Sequence, residues 1–113
     1  MVNHMVQQLD RLYSALADAT RRDVLVRLGE GPATIGELAE PHQMSLTGMK
    51  KHVQVLEDAH LVATEKVGRV RTCTLGTRDL SAEAAWIEKY QEMLNARYNR
   101  LDAFLERTKG DAP

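Results

Sequence analysis

The 113-residue chain has few of the residues that build disulfide frameworks or secretion signals. It contains one cysteine, Cys73, which excludes an intrachain disulfide. No stretch approaches the roughly 18 consecutive apolar residues of a membrane span. The opening residues, MVNHMVQQLDRL, lack the continuous apolar segment of a secretion signal. These absences predict a cytoplasmic protein.

Sets of residues typical of catalysis or metal binding are also missing. The sequence offers no Ser-His-Asp or Cys-His set, no paired-carboxylate cleft and no glycine-rich phosphate loop. His4, His42 and His60 do not share the spacing of zinc ligands. We therefore predict no enzyme, no metal and no other cofactor. Cys73 is interpreted as a small buried hydrophobe, with oxidant sensing as the alternative.

The length predicts one domain spanning residues 1–113, because soluble domains typically run to roughly 100–150 residues. A net charge of −1 is low for a nucleic-acid binder, but the charges are unevenly distributed. Acidic residues gather toward the C-terminal end, whereas basic residues cluster in the middle: Lys50, Lys51, Lys66, Arg69 and Arg71. This separation predicts one basic face on a nearly neutral molecule.

Hydrophobic spacing and capping residues predict three helices before residue 41. The first covers residues 7–17. Asp18 is the predicted N-cap of a second helix, which runs to about Leu28. Gly29 and Gly31 with Pro32 are expected to end it, because glycine accepts the left-handed C-cap geometry and proline cannot continue the hydrogen-bond ladder. Thr34 is expected to cap a short third helix from Ile35 to about Glu40, with a glutamate three residues on completing a capping box.

Residues 44–62, MSLTGMKKHVQVLEDAHLV, form the most informative segment. They predict an amphipathic helix capped by Ser45, with a buried stripe of Met49, Val53 and Leu56. The short turn before this helix makes residues 34–58 a helix-turn-helix. Two β-like runs follow, within residues 61–75, and predict a basic hairpin, or wing.

A helix with this polar face suits the major groove of B-DNA, which is about 12 Å wide. Gly48 is expected to permit close approach, Arg21 and Arg22 to add a phosphate contact, and His52 either to contact DNA or to lie at the core rim. The candidate DNA-binding residues are Ser45, Leu46, Thr47, Gly48, Lys50, Lys51, His52 and Gln54 of the helix, and Lys66, Arg69 and Arg71 of the wing.

A last helix, predicted over residues 81–107, carries a longer apolar stripe than a small core can cover. The simplest partner for this stripe is a second copy of the chain. An effector pocket lined by Trp86, Tyr90 and Tyr98 is the alternative. The predicted dimer interface combines the first and last helices: Leu9, Leu12, Tyr13, Leu16, Ile87, Tyr90, Leu94, Tyr98 and Leu101.

Four segments together resemble the winged-helix repressors of the ArsR/SmtB family: LADATRRDVLVRL, GELAE, MSLTGMKKHVQVLEDAHLV and GRVRTCTLG. The resemblance covers roughly residues 9–105. It implies a homodimer, paired through the first and last helices, that binds an operator as a repressor. The chain is most similar to the branch without an evident metal site, because the third helix lacks cysteine and the last lacks histidine.

Three positions depart from the family pattern: Ala19 replaces a common proline, Lys50 a common serine and His60 a common glycine. The change at Lys50 is expected to alter operator preference. The change at His60 is expected to end the recognition helix without a left-handed cap.

The sequence therefore predicts a mainly α protein with a small β-hairpin. Its expected architecture is a winged helix-turn-helix with five helices, a two-stranded wing and a homodimer through the first and last helices. The predicted function is sequence-specific regulation of transcription by a dimeric repressor on a partly palindromic double-stranded operator, with half-sites about one helical turn apart. The alternative is a winged-helix protein-interaction module that does not bind DNA. A third possibility is a repressor that is switched by an unknown ligand or oxidant.

Overall fold

Five helices and three strands follow one another in the computed structural model, which describes residues 4–110 and the side chains of residues 7–108. The side chain of His4 lies outside this range. The helices are α1 (His4–Leu16), α2 (Ala19–Leu28), α3 (Ile35–Ala39), α4 (Leu46–Asp58) and α5 (Ser81–Gly110). The strands are β1 (Ala33–Thr34), β2 (Val62–Val67) and β3 (Val70–Leu75). The elements from α1 to β3 form one unit and α5 forms a second.

The corner between α1 and α2 is fixed by side chains that cap both helices. Asp18 accepts a hydrogen bond from the backbone N–H of Arg21 at 3.1 Å, so the predicted N-cap is confirmed. This backbone hydrogen bond holds the pKa of Asp18 below its usual value. Of the two glycines predicted to end α2, Gly29 keeps a right-handed φ of −63°. The positive φ falls at Gly31, at 145°, a conformation that glycine adopts readily.

A complete capping box starts α3. Thr34 Oγ1 accepts from the backbone N–H of Glu37, and Glu37 Oε1 accepts from the backbone N–H of Thr34, both at 3.1 Å. These bonds lower the pKa of Glu37. The helix ends in a 3₁₀ turn, Glu40–His42, after which Gln43 takes a left-handed φ of 52°. The predicted helix-turn-helix is thereby confirmed, with a 3₁₀ turn between its two helices.

The core of the first unit lies between the helices α1 to α4 and the sheet. Met49, Val53 and Leu56 are buried, as the predicted stripe of α4 requires. Leu12 is only 1% exposed and is a core residue of this unit, which corrects its predicted place at a dimer interface. The burial of these side chains is the main source of stability for the unit. Its largest fully buried residues are Leu12, Val24, Met49, Leu56 and Cys73.

The helix α4 ends with a left-handed residue, contrary to the expectation from its missing glycine. His60 has φ of 62°. Its backbone N–H donates to the carbonyl of Glu57, and the N–H of Leu61 donates to the carbonyl of Leu56, both at 2.9 Å. This pair of bonds is a Schellman motif, closed by the buried side chains of Leu56 and Leu61. His60 therefore adopts the left-handed conformation expected of the glycine that it replaces.

The wing belongs to a three-stranded antiparallel sheet with the order β1-β3-β2. Sequence analysis missed β1, whose two residues pair with Cys73 and Thr72 of β3. In the hairpin, Thr64 lies opposite Cys73 and Lys66 opposite Arg71. Because side chains alternate along a strand, these four project from the same face, and the buried Cys73 marks that face as the inner one.

The second unit, α5, is a 30-residue helix. Eight of its large apolar side chains are about half exposed, from 48% at Tyr90 to 60% at Trp86, and Leu94 is half-buried. The rings of Trp86 and Tyr90 stack with centroids 5.8 Å apart. In the described part of the chain, no helix has the length and apolar character needed to cross a bilayer.

Candidate nucleic-acid interface

The N-terminus of α4 is held by Ser45, whose Oγ accepts from the backbone N–H of Gly48 at 3.0 Å. This is the predicted N-cap, and it orders the first turn of the helix. Ser45, Leu46 and Thr47 are all exposed there. The leucine is 57% exposed and thus presents an apolar surface at the helix end, beside polar side chains.

Gly48 has a structural role that its sequence pattern did not reveal. A Cβ at this position would lie 3.1 Å from Cγ of Met44 and 3.2 Å from Oγ of Ser45. Both contacts are tight, and one involves the capping hydroxyl itself. The missing side chain therefore makes room for the cap of α4, whereas the sequence predicted room for DNA.

The two lysines of α4 have different neighbours. Lys50 lines a groove of about 390 Å³ between α3, α4 and the wing, here named the α4–wing groove. Lys51 is exposed but does not line that groove. Adjacent helix residues are about 100° apart around the axis. The two lysines therefore place positive charge on two sides of α4, and only the Lys50 side lines the groove.

Four cations line the α4–wing groove: Lys50, Lys66, Arg69 and Arg71. Its apolar wall comes from Ile35, Leu46 and Val70, and Thr34 and Gly36 complete it. Among the described residues, no carboxylate lines this groove. A groove lined by cations and by no carboxylate favours an anionic ligand, and the groove runs beside the exposed N-terminal turn of α4.

The wing is joined to α4 through a threonine. The Thr64 hydroxyl donates to Oε2 of Glu57 on α4 and accepts from the Arg71 guanidinium at 3.0 Å. Glu57, Thr64 and Arg71 also line a smaller cavity of about 150 Å³ next to the α4–wing groove. Sequence analysis assigned no role to Glu57 or Thr64.

Gln54 and His52, both candidate DNA contacts, are already engaged within the subunit. Gln54 Nε2 donates to Oδ1 of Asp58 at 2.9 Å, one turn further along α4. His52 is half-buried, and its Nδ1 lies 3.2 Å from a guanidinium nitrogen of Arg21. This position favours the alternative interpretation of His52 as a residue at the core rim.

Arg21 and Arg22 cap α1 and were predicted to contact phosphate. The Arg21 guanidinium donates to the carbonyls of Ala15 at 2.9 Å and Ser14 at 2.8 Å. Arg22 donates to the carbonyl of Leu16 at 2.8 Å. Free carbonyls at a helix C-terminus favour such cationic donors. The local structure thus accounts for both arginines without a nucleic acid.

Cys73 is fully buried, and burial raises the pKa of its thiol. A protonated, inaccessible thiol is a poor nucleophile, which favours its interpretation as a core residue. In the range covered by the structure, no three His, Cys, Asp or Glu side chains converge as a metal site would require.

Comparisons with known proteins agree with this geometry. The helix-turn-helix domain family matches residues 16–65. The chain is 36% identical to the HTH-type transcriptional regulator Rv2034 of Mycobacterium tuberculosis, over 72% of this chain and 76% of that protein. The ArsR family transcriptional regulator RHA00566 shares 44% identity and a TM-score of 0.72, covering 84% of this chain and 97% of the other. The chain belongs to the ArsR family of transcriptional regulators.

Two further proteins are similar to this chain. The transcriptional repressor SdpR of Bacillus subtilis is 27% identical over 70% of this chain and 88% of its own length. A homodimeric winged helix-turn-helix domain, Mb0332 of Mycobacterium bovis, is 23% identical with a TM-score of 0.62, covering 78% of this chain and 82% of the other. This ArsR-family protein is a DNA-binding transcriptional regulator. The alternative of a winged-helix module without DNA binding has no support among these relatives.

Proposed function

We propose that this ArsR-family regulator is a homodimeric repressor that binds a partly palindromic operator. The observation that carries the proposal is the convergence of four cations in the α4–wing groove beside the exposed N-terminus of α4. The chain acts as a single winged-helix domain over residues 1–113, with no catalytic step. Because its target is an operator, the proposal includes a cytoplasmic location.

The proposal divides the interface into base-reading and phosphate-binding residues. Leu46, Thr47 and Lys51 are exposed at or near the start of α4, where a recognition helix meets base edges. Leu46 and the Thr47 methyl suit a thymine methyl group. The cations of the α4–wing groove neutralise backbone phosphates and release counterions, so affinity falls as salt rises. One amide hydrogen of Gln54 is bonded to Asp58. Gln54 can donate this hydrogen to adenine only after its side chain leaves Asp58.

Dimerisation is supported by apolar surface on helices of both units. On α5, Ile87, Tyr90, Tyr98 and Leu101 are exposed and Leu94 is half-buried; on α1, Tyr13 is exposed and Leu9 and Leu16 are half-buried. A second copy of the chain would cover these residues, and the homodimeric relative has the same fold. Two copies would place two recognition helices on one duplex, which is why we propose a partly palindromic operator.

Repression follows if the operator overlaps a promoter, because a bound dimer then excludes the polymerase. The relative SdpR is named as a transcriptional repressor, which supports repression over activation. In vitro transcription from the bound promoter provides the test, with reduced transcript expected on adding protein. Increased transcript would reverse the assignment.

The DNA-binding surface is tested by Lys50→Ala, with Lys89→Ala on α5 as the control. An operator is first selected from a random duplex library with purified protein, and affinity is then measured by fluorescence anisotropy at several salt concentrations. Loss of one phosphate contact should lower the slope of log affinity against log salt by about 1. Lys89→Ala should retain the wild-type slope. Equal slopes in all three proteins would contradict the placement of DNA along the α4–wing groove.

A further inference from the structure

The hydrogen bonds around Thr64 join the recognition helix to a cation of the wing. The Thr64 hydroxyl uses its one hydrogen on the Glu57 carboxylate and accepts from the Arg71 guanidinium at 3.0 Å. All three residues belong to the first unit, and Thr64 and Glu57 are half-buried. These two hydrogen bonds therefore connect the last turn of α4 to β3 through Thr64 of β2.

This arrangement restricts the conformation of Arg71. An arginine side chain on a wing has many rotamers, and ordering it on a ligand costs conformational entropy. Thr64 and Glu57 order part of that side chain before any ligand binds. A guanidinium has five N–H donors, so one bond to Thr64 leaves others for a phosphate.

The position of Glu57 is otherwise unfavourable for a DNA-binding protein. It places a carboxylate beside the cations of the α4–wing groove, where it repels phosphate. By its charge alone, this carboxylate lowers affinity for any duplex. The contact that Glu57 does make is with the Thr64 hydroxyl, which in turn accepts a hydrogen bond from Arg71.

We propose that Glu57 and Thr64 are positioning residues that hold Arg71 for a backbone phosphate shared with Lys50 and Lys66. The inference rests on the proposed function and deepens it, because it explains how the wing keeps its register against the recognition helix. Lys66 lies directly opposite Arg71 in the hairpin, and Lys50 lines the same groove. The three cations thus form one anion site in which only Arg71 is held by a relay from α4.

The test is a double-mutant cycle between Thr64→Val and Arg71→Ala. Valine keeps the shape and β-propensity of threonine and leaves the net charge unchanged, so only the hydroxyl is lost. Thr64→Val should weaken operator affinity roughly three- to tenfold, as expected for one hydrogen bond. In the Arg71→Ala background it should cause no further loss. Thr64→Ser, which restores the hydroxyl, should bind as the wild type does.

The salt dependence separates positioning from a merely structural role. Thr64→Val should reduce the slope of log affinity against log salt toward the value for Arg71→Ala, although it removes no charge. Thr74→Val is the matched control, because Thr74 lies in the same hairpin on the opposite face. It should leave affinity and slope unchanged. Equal losses from Thr64→Val in both backgrounds would overturn the proposal.

A measurement on the free protein separates this inference from the proposed function. The guanidinium ¹⁵N signals of Arg71 should show restricted rotation in the wild type and free rotation in Thr64→Val. Wild-type operator binding with an unaffected Thr64→Val variant would overturn the positioning role alone. Absence of any operator binding by the wild type would remove the proposed function as well. An Arg71 signal that is equally mobile in both proteins would also overturn the relay.

Discussion

The unit from α1 to β3 and the helix α5 use their apolar residues in opposite ways. In the first unit a set of apolar side chains that includes Leu12, Met49 and Leu56 is buried, and capping residues satisfy the ends of its helices. In α5 large apolar side chains are about half exposed along the helix. The first unit therefore contains its own core, whereas the apolar surface of α5 is the kind that a partner covers. The comparison predicts that similar substitutions will affect folding in one region and assembly in the other.

The largest expected effect is the loss of core packing in the first unit. Leu56→Ala should lower the free energy of unfolding by about 2–5 kcal/mol, because Leu56 is fully buried and its truncation leaves a cavity. Urea denaturation followed by circular dichroism measures the change. Leu46→Ala is the matched control on the same helix, where the leucine is 57% exposed, and should cost less than about 1 kcal/mol. Similar losses in the two variants would break the comparison.

A charge on the exposed stripe of α5 should act on assembly and leave the fold intact. Leu101→Asp places a carboxylate where the proposed dimer would bury it, at a cost of several kcal/mol per subunit. Sedimentation velocity should show a monomer with the wild-type circular dichroism spectrum. Ala96→Asp, two positions from Leu94 and Tyr98 and thus on the other side of the helix, should remain dimeric. A dimer that persists in Leu101→Asp would contradict the role given to α5.

What the sequence predicted depends on how local each interaction is. The N-caps at Asp18, Thr34 and Ser45 were predicted because each acceptor bonds a backbone N–H three residues away. Strand β1 was missed because two residues carry no periodicity and its pairing with β3 spans about forty residues of chain. The periodicity that identified Leu12 as inward-facing does not say whether the partner is its own core or a second copy.

The candidate site shows the same limit. Sequence predicted the cations Lys50, Lys66, Arg69 and Arg71, and the structure brings them to one groove. It did not predict that Arg21 and Arg22 cap α1, because those bonds depend on how the corner between two helices turns. Nor did it predict the relay through Thr64, whose hydroxyl reaches a carboxylate seven residues back and an arginine seven residues ahead.

The smallest expected effect is a loss of stability in acid. It sharpens the comparison by testing whether the capping carboxylates stabilise the first unit in addition to its buried core. Hydrogen bonds hold the pKa of Asp18 and of Glu37 below their usual values, chiefly through the backbone N–H groups of Arg21 and Thr34. A carboxyl with a lowered pKa in the folded state stabilises the fold above its unfolded pKa. This contribution is lost as pH falls from the unfolded pKa through the folded one. Thermal unfolding between neutral pH and about pH 3 should therefore show a falling midpoint, and the fall should be shallower in Asp18→Asn and Glu37→Gln. Asp10→Asn, on α1, is the control and should follow the wild-type curve. If the two cap variants kept the wild-type pH dependence, the caps would not contribute to stability through their charge, and the first unit would depend on its buried core alone.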